Sequence, residues 1–517
     1  MRRYQLVILL LSLSVACTLR AYRLDIAGFS EDETYKLLAT TAYRQGDIGA
    51  NAEHPMLMKM ACTLSILLSE RLNLMGLSIS PETALRLPNV VIGTLTGLIL
   101  YLFASRLFSV RVGLLTALVW SLAVPAIMLN RIAKEDTFLV FFTWTGFYLF
   151  HIAKQATEEE RHKFYAASGI SFGMMLASKY FPHYMGLNFL YYHLLGSNTW
   201  NRKIRPLHLL VFFTALAVAL LVFNPILLKP GILAYMVSYL NEQKQTHQGL
   251  WMMGRLYHNE VSALPGTTPT YFYLLAMALK IQLPLLLGLL VGMVELWRKR
   301  NDETFLLKVL LVLWIVPFSL FPAKWLRYML SLMPILSIII ALGLLKLADL
   351  IGKHLGSVVM AVLLLSALIS AVQIAPFYSL YLNLLGRGRI GYFFPHDEFY
   401  DLGLREAVQA IAREAHPGAT LVCETPYTAR YYADRFGRTD LKIEVSSARN
   451  FRLSPNQDNY LIVQDGRRYF ENLSLLNMVE QNYRPALEIE VLGASALRVY
   501  HIGPGVNGKK GEVVGIR

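Results

Sequence analysis

The sequence predicts an all-α polytopic membrane domain followed by a small soluble α/β domain. Of its 517 residues, 55% are hydrophobic and 16% are charged, whereas a soluble protein carries about 25% charged residues. Several apolar runs reach the ~20 residues that cross a bilayer as a helix. After about residue 380, short apolar stretches replace the long runs. We therefore expect a membrane domain over residues 1–378 and a soluble domain over residues 379–517.

About eleven transmembrane helices are expected. The first covers residues 6–19 behind a basic start, for which a cleaved signal peptide is the alternative interpretation. Residues 34–44 and 56–74 predict helices in the membrane interface, because glycines and Pro55 interrupt the apolar pattern between them. The other spans are expected at residues 84–105, 111–130, 137–155, 164–180, 183–196, 207–228, 271–296, 305–322, 327–349 and 356–378.

The basic residues predict how the chain is oriented in the membrane. With the N-terminus inside, the inner loops are rich in Lys and Arg, as the positive-inside rule requires, and this accounts for much of the net charge of +14. No nucleic acid partner is therefore inferred. The outer loop 25–83, the long outer loop 229–270 and the tail then lie outside. An even number of spans would instead place the tail in the cytoplasm.

The tail alternates short apolar runs with helical stretches, which is typical of a small α/β domain. Helices are expected at residues 402–415, 428–435 and 469–481, and strands at residues 420–423, 442–445, 460–464, 487–492 and 496–502. Neither a glycine-rich phosphate loop nor a disulfide or zinc pattern among the three cysteines occurs in the sequence.

Three consecutive carboxylates, Glu31, Asp32 and Glu33, directly follow the first apolar segment. A solvated acidic loop is the simplest interpretation of such a run. However, a further acid, Asp136, follows a span that is expected to emerge on the same side. Basic residues also lie at span ends on that side, namely Arg131, Lys179, Lys324 and Arg327.

This collection of charges favours group transfer from a lipid phosphate to an acceptor outside the membrane. A carboxylate can act as a general base toward a hydroxyl or an amine, and Lys and Arg bind phosphate. The phosphate of a lipid lies at the headgroup level, where the span ends put these side chains. The alternative is that Arg131 and Lys179 only snorkel toward the surface.

Several motifs occur in an informative order. They are Asp32-Glu33-Thr34-Tyr35, His54-Pro55, Leu85-Arg86-Leu87-Pro88, Arg131 through Asp136-Thr137-Phe138-Leu139, Ala177-Ser178-Lys179-Tyr180, Thr270-Tyr271-Phe272-Tyr273-Leu274 with Lys280 and Pro284, and Lys324-Trp325-Leu326-Arg327-Tyr328. Over residues 20–335 this order resembles the polyprenyl-phosphate-sugar-dependent glycosyltransferases of the GT-C fold. That group includes the protein O-mannosyltransferases and the lipid A aminoarabinose transferase.

The resemblance implies a role for each motif residue. Asp32 would be the general base, and Glu33 and Asp136 would shape its site. Glu33 and Asp136 would also ligate a divalent metal (Mg²⁺, Mn²⁺ or Zn²⁺) if the enzyme uses one. The donor phosphate would be bound by Arg131, Lys179, Lys324 and Arg327. Further candidates for the cavity are Tyr35, His54, Arg86, His258 and Tyr328.

The implied activity is transfer of a sugar from a polyprenyl-phosphate donor, with inversion at the anomeric carbon. The acceptor stays open between a protein hydroxyl, lipid A and another glycan. The implied location is the bacterial inner membrane, with the active site and the tail facing the periplasm. The alternatives are a transporter or flippase, which would typically show internal repeats, and a catalytically silent scaffold of the same architecture.

Overall fold

The computed structural model describes residues 3–181, 183–195, 205–242, 249–262, 264–448, 451–453, 457–503 and 511–516. Parts of the expected inner loop 198–205 and of the outer loop 229–270 lie outside these residues. The described chain is mostly helical up to residue 374. The helices of this part are α1 Arg3–Ala21, α2 Glu31–Arg44, α3 Leu57–Leu74, α4 Pro81–Leu107, α5 Val110–Leu122, α6 Val124–Asn130, α7 Glu135–Gln155, α8 Glu158–Ser178, α9 His183–Leu190, α10 Pro206–Phe223, α11 Ile232–Glu242, α12 Phe272–Lys280, α13 Leu283–Arg298, α14 Asp302–Leu320, α15 Met329–Ile351 and α16 Lys353–Ile374.

The helices make the chain a multi-pass membrane protein. Within the described residues, six helices are long and apolar enough to cross a bilayer, and α5 with α6 would form a seventh span bent by 62°. Every expected span falls on one or two helices, but the count of eleven is not confirmed. The deepest candidate span contains α15, with 78% of its apolar window buried.

The span expected at 271–296 is not one continuous helix, because the structure divides this segment into α12 and α13. Pro284 lacks the N–H that would continue a helix through this point. The side chain of Gln282 accepts a hydrogen bond from the Val124 N–H at 3.2 Å and donates one to the Leu122 carbonyl at 2.6 Å. Gln282, which lies in the break between α12 and α13, therefore bonds to backbone groups that are left unpaired at the bend between α5 and α6.

The acidic run forms the first turn of α2 instead of a loop. Glu33 accepts a hydrogen bond from the Ser30 N–H at 3.0 Å, which completes a capping box. Carboxylates are also favoured at the positive end of the helix dipole. These two effects start the helix three residues earlier than the interfacial helix expected at 34–44.

The tail contains a six-stranded mixed sheet with the order β4-β3-β5-β7-β6-β8. All five expected strands are confirmed, as are the three expected helices; strand β8 was not expected. A hairpin of two strands, β1 and β2, lies in the long outer loop. The strands are β1 Gly249–Met252, β2 Arg255–His258, β3 Thr420–Cys423, β4 Lys442–Val445, β5 Asn459–Gln464, β6 Leu487–Val491, β7 Ala494–Ile502 and β8 Glu512–Ile516, and the helices are α17 Pro395–Phe399, α18 Leu404–Glu414, α19 Pro426–Arg435 and α20 Leu473–Asn482.

The tail packs directly on the start of α2. The Phe29 N–H donates a hydrogen bond to the Tyr432 hydroxyl at 2.6 Å, and the hydroxyls of Thr34 and Thr428 lie 2.9 Å apart. Residues of the tail therefore contact the chain on both sides of the acidic run.

Candidate active site

Asp32 is the centre of a cluster of donors from three distant parts of the chain. Its Oδ2 accepts a hydrogen bond from the Tyr400 hydroxyl at 2.7 Å and lies 3.1 Å from Nη1 of Arg327. The ammonium of Lys134 also forms an ion pair with this oxygen. The side chain of Asp32 remains 30% exposed, so a reactant can approach it.

The cluster keeps Asp32 ionised. Burial would raise the pKa of Asp32, but Lys134, Arg327 and Lys36 outweigh it and hold that pKa well below its usual value. Burial and the nearby Asp32 charge raise the pKa of Tyr400 well above the usual range, so its phenol stays protonated and donates. Burial and the charge of Arg327 lower the pKa of Lys134 to about 8.

A second acid–base pair lies beside this cluster. Nζ of Lys179 is 2.7 Å from Oδ1 of Asp136 and lies 5.1 Å from the centre of the Tyr328 ring. Oδ2 of Asp136 is buried and has no hydrogen-bond partner among the described residues. An unpaired buried carboxylate oxygen is costly, so this atom is available to a ligand that donates a hydrogen bond.

One small cavity connects the two pairs. Its volume is about 20 Å³, which is room for about one water molecule. A sugar does not fit unless the walls move. The lining residues are Met128, Leu129, Ile132, Lys134, Asp136, Arg327, Asp397 and Tyr400.

Glu33 and Arg86 form a structural clamp next to this cavity. The Arg86 guanidinium binds both carboxylate oxygens of Glu33 at 2.7 Å and also donates to the carbonyls of Leu24, Ala27 and Gly28. The Ala133 N–H donates to Glu33 at 3.0 Å. The clamp therefore fixes the loop between α1 and α2 to α4 and to the segment before α7.

These contacts do not fit the metal site that Glu33 and Asp136 would form if the enzyme used a divalent metal. Both oxygens of Glu33 already accept hydrogen bonds, and Asp136 pairs with a different cation, Lys179. In the part of the chain that the structure describes, no group of three or more His, Cys, Asp or Glu side chains is arranged to hold a metal ion.

Arg131 and Lys324 cap helix ends instead of facing Asp32. Arg131 donates to the carbonyls of Leu19, Arg20 and Arg23 at the end of α1. Lys324 donates to three carbonyls at the end of α14, those of Phe318, Ser319 and Phe321, at 2.6–2.8 Å. These positions differ from the phosphate-binding role expected for both residues, because carbonyls left free at helix ends already take up their N–H donors.

The remaining candidates lie around the site or away from it. The ring of Tyr35 packs 5.3 Å from that of Tyr427 in the tail. His54 lies 3.7 Å from Glu135, and burial together with the charge of Lys36 lowers its pKa well below the usual value. His258 stacks on Phe470 at 4.5 Å between ring centres, and none of its described contacts involves the Asp32 cluster.

Sequence reasoning missed Lys134, Asp397 and Tyr400. The position of Lys134, two residues before Asp136, is a signal that could have been used. Tyr400 and Asp397 carry no such signal, because only the docking of the tail brings them to α2. Tyr400 and the next residue, Asp401, both adopt positive φ angles, 41° and 65°. Asp401 is held by Arg467 at 2.7 Å and accepts the Glu31 N–H at 2.9 Å.

Known proteins with similar sequence or structure indicate the same fold class. Residues 73–228 match the profile of the dolichyl-phosphate-mannose-protein mannosyltransferase family. Among curated proteins, none matches the sequence. The structure of ArnT from Cupriavidus metallidurans bound to undecaprenyl phosphate is similar with a TM-score of 0.52 and 14% identity, over 97% of this chain and 99% of that chain.

A second similar structure is the archaeal oligosaccharyltransferase AglB from Archaeoglobus fulgidus, in complex with an inhibitory peptide and a dolichol-phosphate. Its TM-score is 0.51 at 11% identity, over 96% of this chain and 74% of that chain. At such identities the likeness establishes the fold alone. The chain has the GT-C glycosyltransferase fold.

Proposed function

We propose that this chain is an integral membrane glycosyltransferase that moves a sugar from a polyprenyl-phosphate donor to an acceptor at the outer face of the membrane. The observation that carries the proposal is the position of Asp32. It is a partly exposed carboxylate held by Lys134 and Arg327, which line one cavity with Asp136. The GT-C fold and the lipid phosphates bound to ArnT and AglB support the donor class.

In the proposed reaction Asp32 is the general base. It takes the proton of an acceptor hydroxyl or amine while that oxygen or nitrogen bonds to the anomeric carbon of the sugar. The bond from the anomeric carbon to the phosphate oxygen breaks, and polyprenyl phosphate leaves with the electron pair. Attack opposite the leaving group inverts the anomeric carbon. A phosphate leaving group needs positioning and charge stabilisation more than it needs a strong acid.

The cations around Asp32 would serve the leaving group. Lys179, Arg327 and Lys134 are proposed to bind the donor phosphate. Lys134 and Arg327 line the cavity and pair with Asp32, and Lys179 pairs with Asp136, which also lines it. A donor phosphate that pairs with Lys134 and Arg327 would offset the positive charges that lower the pKa of Asp32. Donor binding would in this way raise the basicity of Asp32 when the acceptor arrives.

A transporter or flippase is the runner-up function. A transporter would place ionisable side chains along a two-sided pathway between repeated halves. Here the charged pairs collect around one cavity beside the tail, and the sequence contains no visible internal repeat. We place the site and the tail in the periplasm of a bacterium, and the acceptor in the class of protein hydroxyls, lipid A and other glycans.

The proposal is tested by consumption of a radiolabelled polyprenyl-phosphate sugar. Purified full-length protein in lipid nanodiscs is given a panel of such donors with an envelope extract that supplies acceptors. We expect Asp32→Asn to lower the rate by about 10²–10⁴-fold, the usual contribution of a general base. The matched control is Asp25→Asn, since Asp25 is an exposed acid that precedes the same helix.

The control variant is expected to consume donor like the wild type. Consumption that survives in Asp32→Asn would move the base to another residue, with Asp136 as the next candidate. If folded wild-type protein consumed none of the donors, the transferase proposal would be rejected in favour of the transporter or the silent scaffold.

A further inference from the structure

A second cavity, here called the outer cavity, lies between the β1–β2 hairpin and the tail, and its lining includes none of the residues of the Asp32 cluster. Its volume is about 520 Å³, within the range of about 300–1,000 Å³ typical of ligand pockets. The β1–β2 hairpin, the segment after α16 and the loops of the tail sheet meet around it. Its lining includes Trp251, Gly391, Phe399, Asp465, Arg468 and Ser495.

The polar groups of this outer cavity are incompletely used within the protein. Oδ1 of Asp465 accepts from Arg468 at 2.9 Å and from Arg498 at 2.7 Å, while Oδ2 accepts no hydrogen bond from a described residue. The hydroxyl of Ser495 is buried without a partner in the described part of the chain. Oδ2 of Asp465 therefore keeps free capacity to accept a hydrogen bond at the cavity, whereas the Ser495 hydroxyl is buried in the cavity wall.

The charges of the outer cavity cancel. Arg468 binds Asp465 and also Glu480, at 2.7 Å, and Arg498 contacts the same two acids. Two guanidinium groups thus face two carboxylates, which leaves no excess positive charge for a phosphate. Trp251 supplies an indole ring beside Arg468, with 5.9 Å between the guanidinium carbon and the ring centre. Balanced charge, a free carboxylate oxygen and an aromatic surface suit a neutral, hydroxyl-rich ligand.

We propose that the outer cavity binds a sugar residue of a neutral carbohydrate. The apolar C–H face of the sugar would pack on Trp251, and its hydroxyls would donate hydrogen bonds to Asp465. Since this inference rests on the proposed transferase function, it narrows the acceptor to a glycan. The site is a binding site for acceptor sugars and takes no part in the bond-breaking step.

One side chain connects the outer cavity with the candidate active site. Phe399 lines this cavity and also the neighbouring pocket that contains Glu33, Arg86 and Tyr400. The next residue, Tyr400, donates its hydroxyl to Asp32. A glycan bound in the outer cavity would therefore contact Phe399, which is adjacent in the chain to Tyr400. A further sugar of the same glycan would then present its hydroxyl to Asp32.

The test is direct binding of uncharged oligosaccharides to the full-length protein in nanodiscs, measured by saturation-transfer NMR and calorimetry without any donor. The probes are mannobiose, maltose, lactose and chitobiose. We expect at least one to bind, and we expect Trp251→Ala and Asp465→Asn each to weaken it about tenfold. The matched controls are Trp297→Ala and Asp440→Asn, since Trp297 lies at the end of α13 and Asp440 pairs with Arg438 on the tail surface.

The outcomes separate this inference from the proposed function. The control variants and Asp32→Asn should bind the sugar like the wild type, whatever their turnover. Absence of binding by all four probes, or unchanged binding in folded Trp251→Ala and Asp465→Asn, would overturn the inference without touching the transferase proposal. Displacement of the bound oligosaccharide by a polyprenyl-phosphate sugar would also overturn it, because the cavity would then hold the donor sugar. Trp251→Leu replaces Trp251→Ala as the test if the latter fails to fold, because leucine keeps an apolar side chain but removes the aromatic face.

Discussion

The hydroxyl of Tyr400 donates a hydrogen bond to Oδ2 of Asp32 across 368 residues of chain, at 2.7 Å. This is the geometry that an acceptor hydroxyl would need if Asp32 were to take its proton. If Asp32 is the base, as proposed, the Tyr400 hydroxyl occupies the position that an acceptor would take. The position of Tyr400 is fixed by the next residue, Asp401, which forms an ion pair with Arg467 and accepts a hydrogen bond from the Glu31 N–H.

Removing this hydroxyl should make the site more accessible to acceptors. In Tyr400→Phe the ring that lines the cavity remains, but Asp32 loses a competing donor. We expect the amount of envelope extract that gives half-maximal donor consumption to fall about three- to tenfold, as expected for the loss of one charge-assisted hydrogen bond. Initial rates against extract concentration provide the measurement.

Tyr427→Phe is the matched control for this substitution, since Tyr427 is an exposed tyrosine of the tail that packs on Tyr35. Its rates should equal those of the wild type. A Tyr400→Phe protein that needs more extract, or that loses maximal rate while folded, would show that the hydroxyl orients Asp32 instead of competing with the acceptor.

Adjacent carboxylates in the acidic run should behave differently. Glu33→Gln leaves the buried Arg86 guanidinium without its ionic partner, and breaking a buried ion pair costs about 3–5 kcal/mol of unfolding free energy. Asp32→Asn should change the melting temperature far less, because Asp32 is 30% exposed and Glu33 only 1%. Thermal unfolding of both variants in the same detergent makes the comparison. Equal melting temperatures would contradict the assignment of Glu33 as a structural clamp.

Asp397 should make stability depend on pH. Burial raises the pKa of Asp397 to about 7 from its usual 3.8. Between these values the folded chain retains a proton that the unfolded chain has released, so stability falls as the pH rises, by at most about 1.4 kcal/mol per pH unit. Asp397→Asn keeps an acceptor for the Leu326 N–H, which lies 3.1 Å from Oδ1, and it removes the titration.

The measurement for Asp397 is the difference in melting temperature between wild type and variant from pH 4.5 to 8. The wild type should lose stability relative to Asp397→Asn up to about pH 7 and no further above it. Asp434→Asn serves as the control at an exposed acid, where the difference should stay constant. A constant difference for Asp397→Asn as well would show that the carboxyl titrates normally.

The sequence predicts the fold well wherever local pattern decides it. Apolar runs locate most helices of the membrane domain, and alternating short runs locate five of the six strands described in the tail. Long-range contacts decide the features that were missed. The break before α13 falls at Lys280, Gln282 and Pro284, which are local signals, but the bonds that Gln282 makes to the distant α5–α6 bend appear only in the structure. Strand β8 lies at the edge of the sheet, and its largely exposed side chains give no core pattern.

The candidate site divides in the same way. The order of the motifs predicts Asp32, Asp136, Lys179 and Arg327 as site residues. In the structure Asp32 pairs with Arg327 and Asp136 with Lys179, and Arg327 and Asp136 line one cavity. Sequence reveals that a side chain is charged but gives no information about its partner. Arg131 therefore resembles a phosphate ligand until the free carbonyls at the end of α1 are seen to bind it. Tyr400 could not be inferred at all, since the tail reaches α2 only in the folded protein.

Lys324 and Lys179, both predicted from the sequence to bind the donor phosphate, should differ in their effects on stability and on donor KM. Lys324→Met leaves three helix-end carbonyls without their donor, which should lower the unfolding free energy by about 1–3 kcal/mol, while the KM for the donor stays unchanged. Lys179→Met should raise that KM about tenfold or more, because Lys179 faces the cavity acid Asp136 and a lost phosphate contact weakens donor binding. Donor titrations and melting curves on both variants measure the two effects: lower stability is expected in Lys324→Met and a raised KM in Lys179→Met. A raised KM with unchanged stability in Lys324→Met would show that Lys324 binds the donor phosphate and that its hydrogen bonds at the end of α14 contribute little to stability.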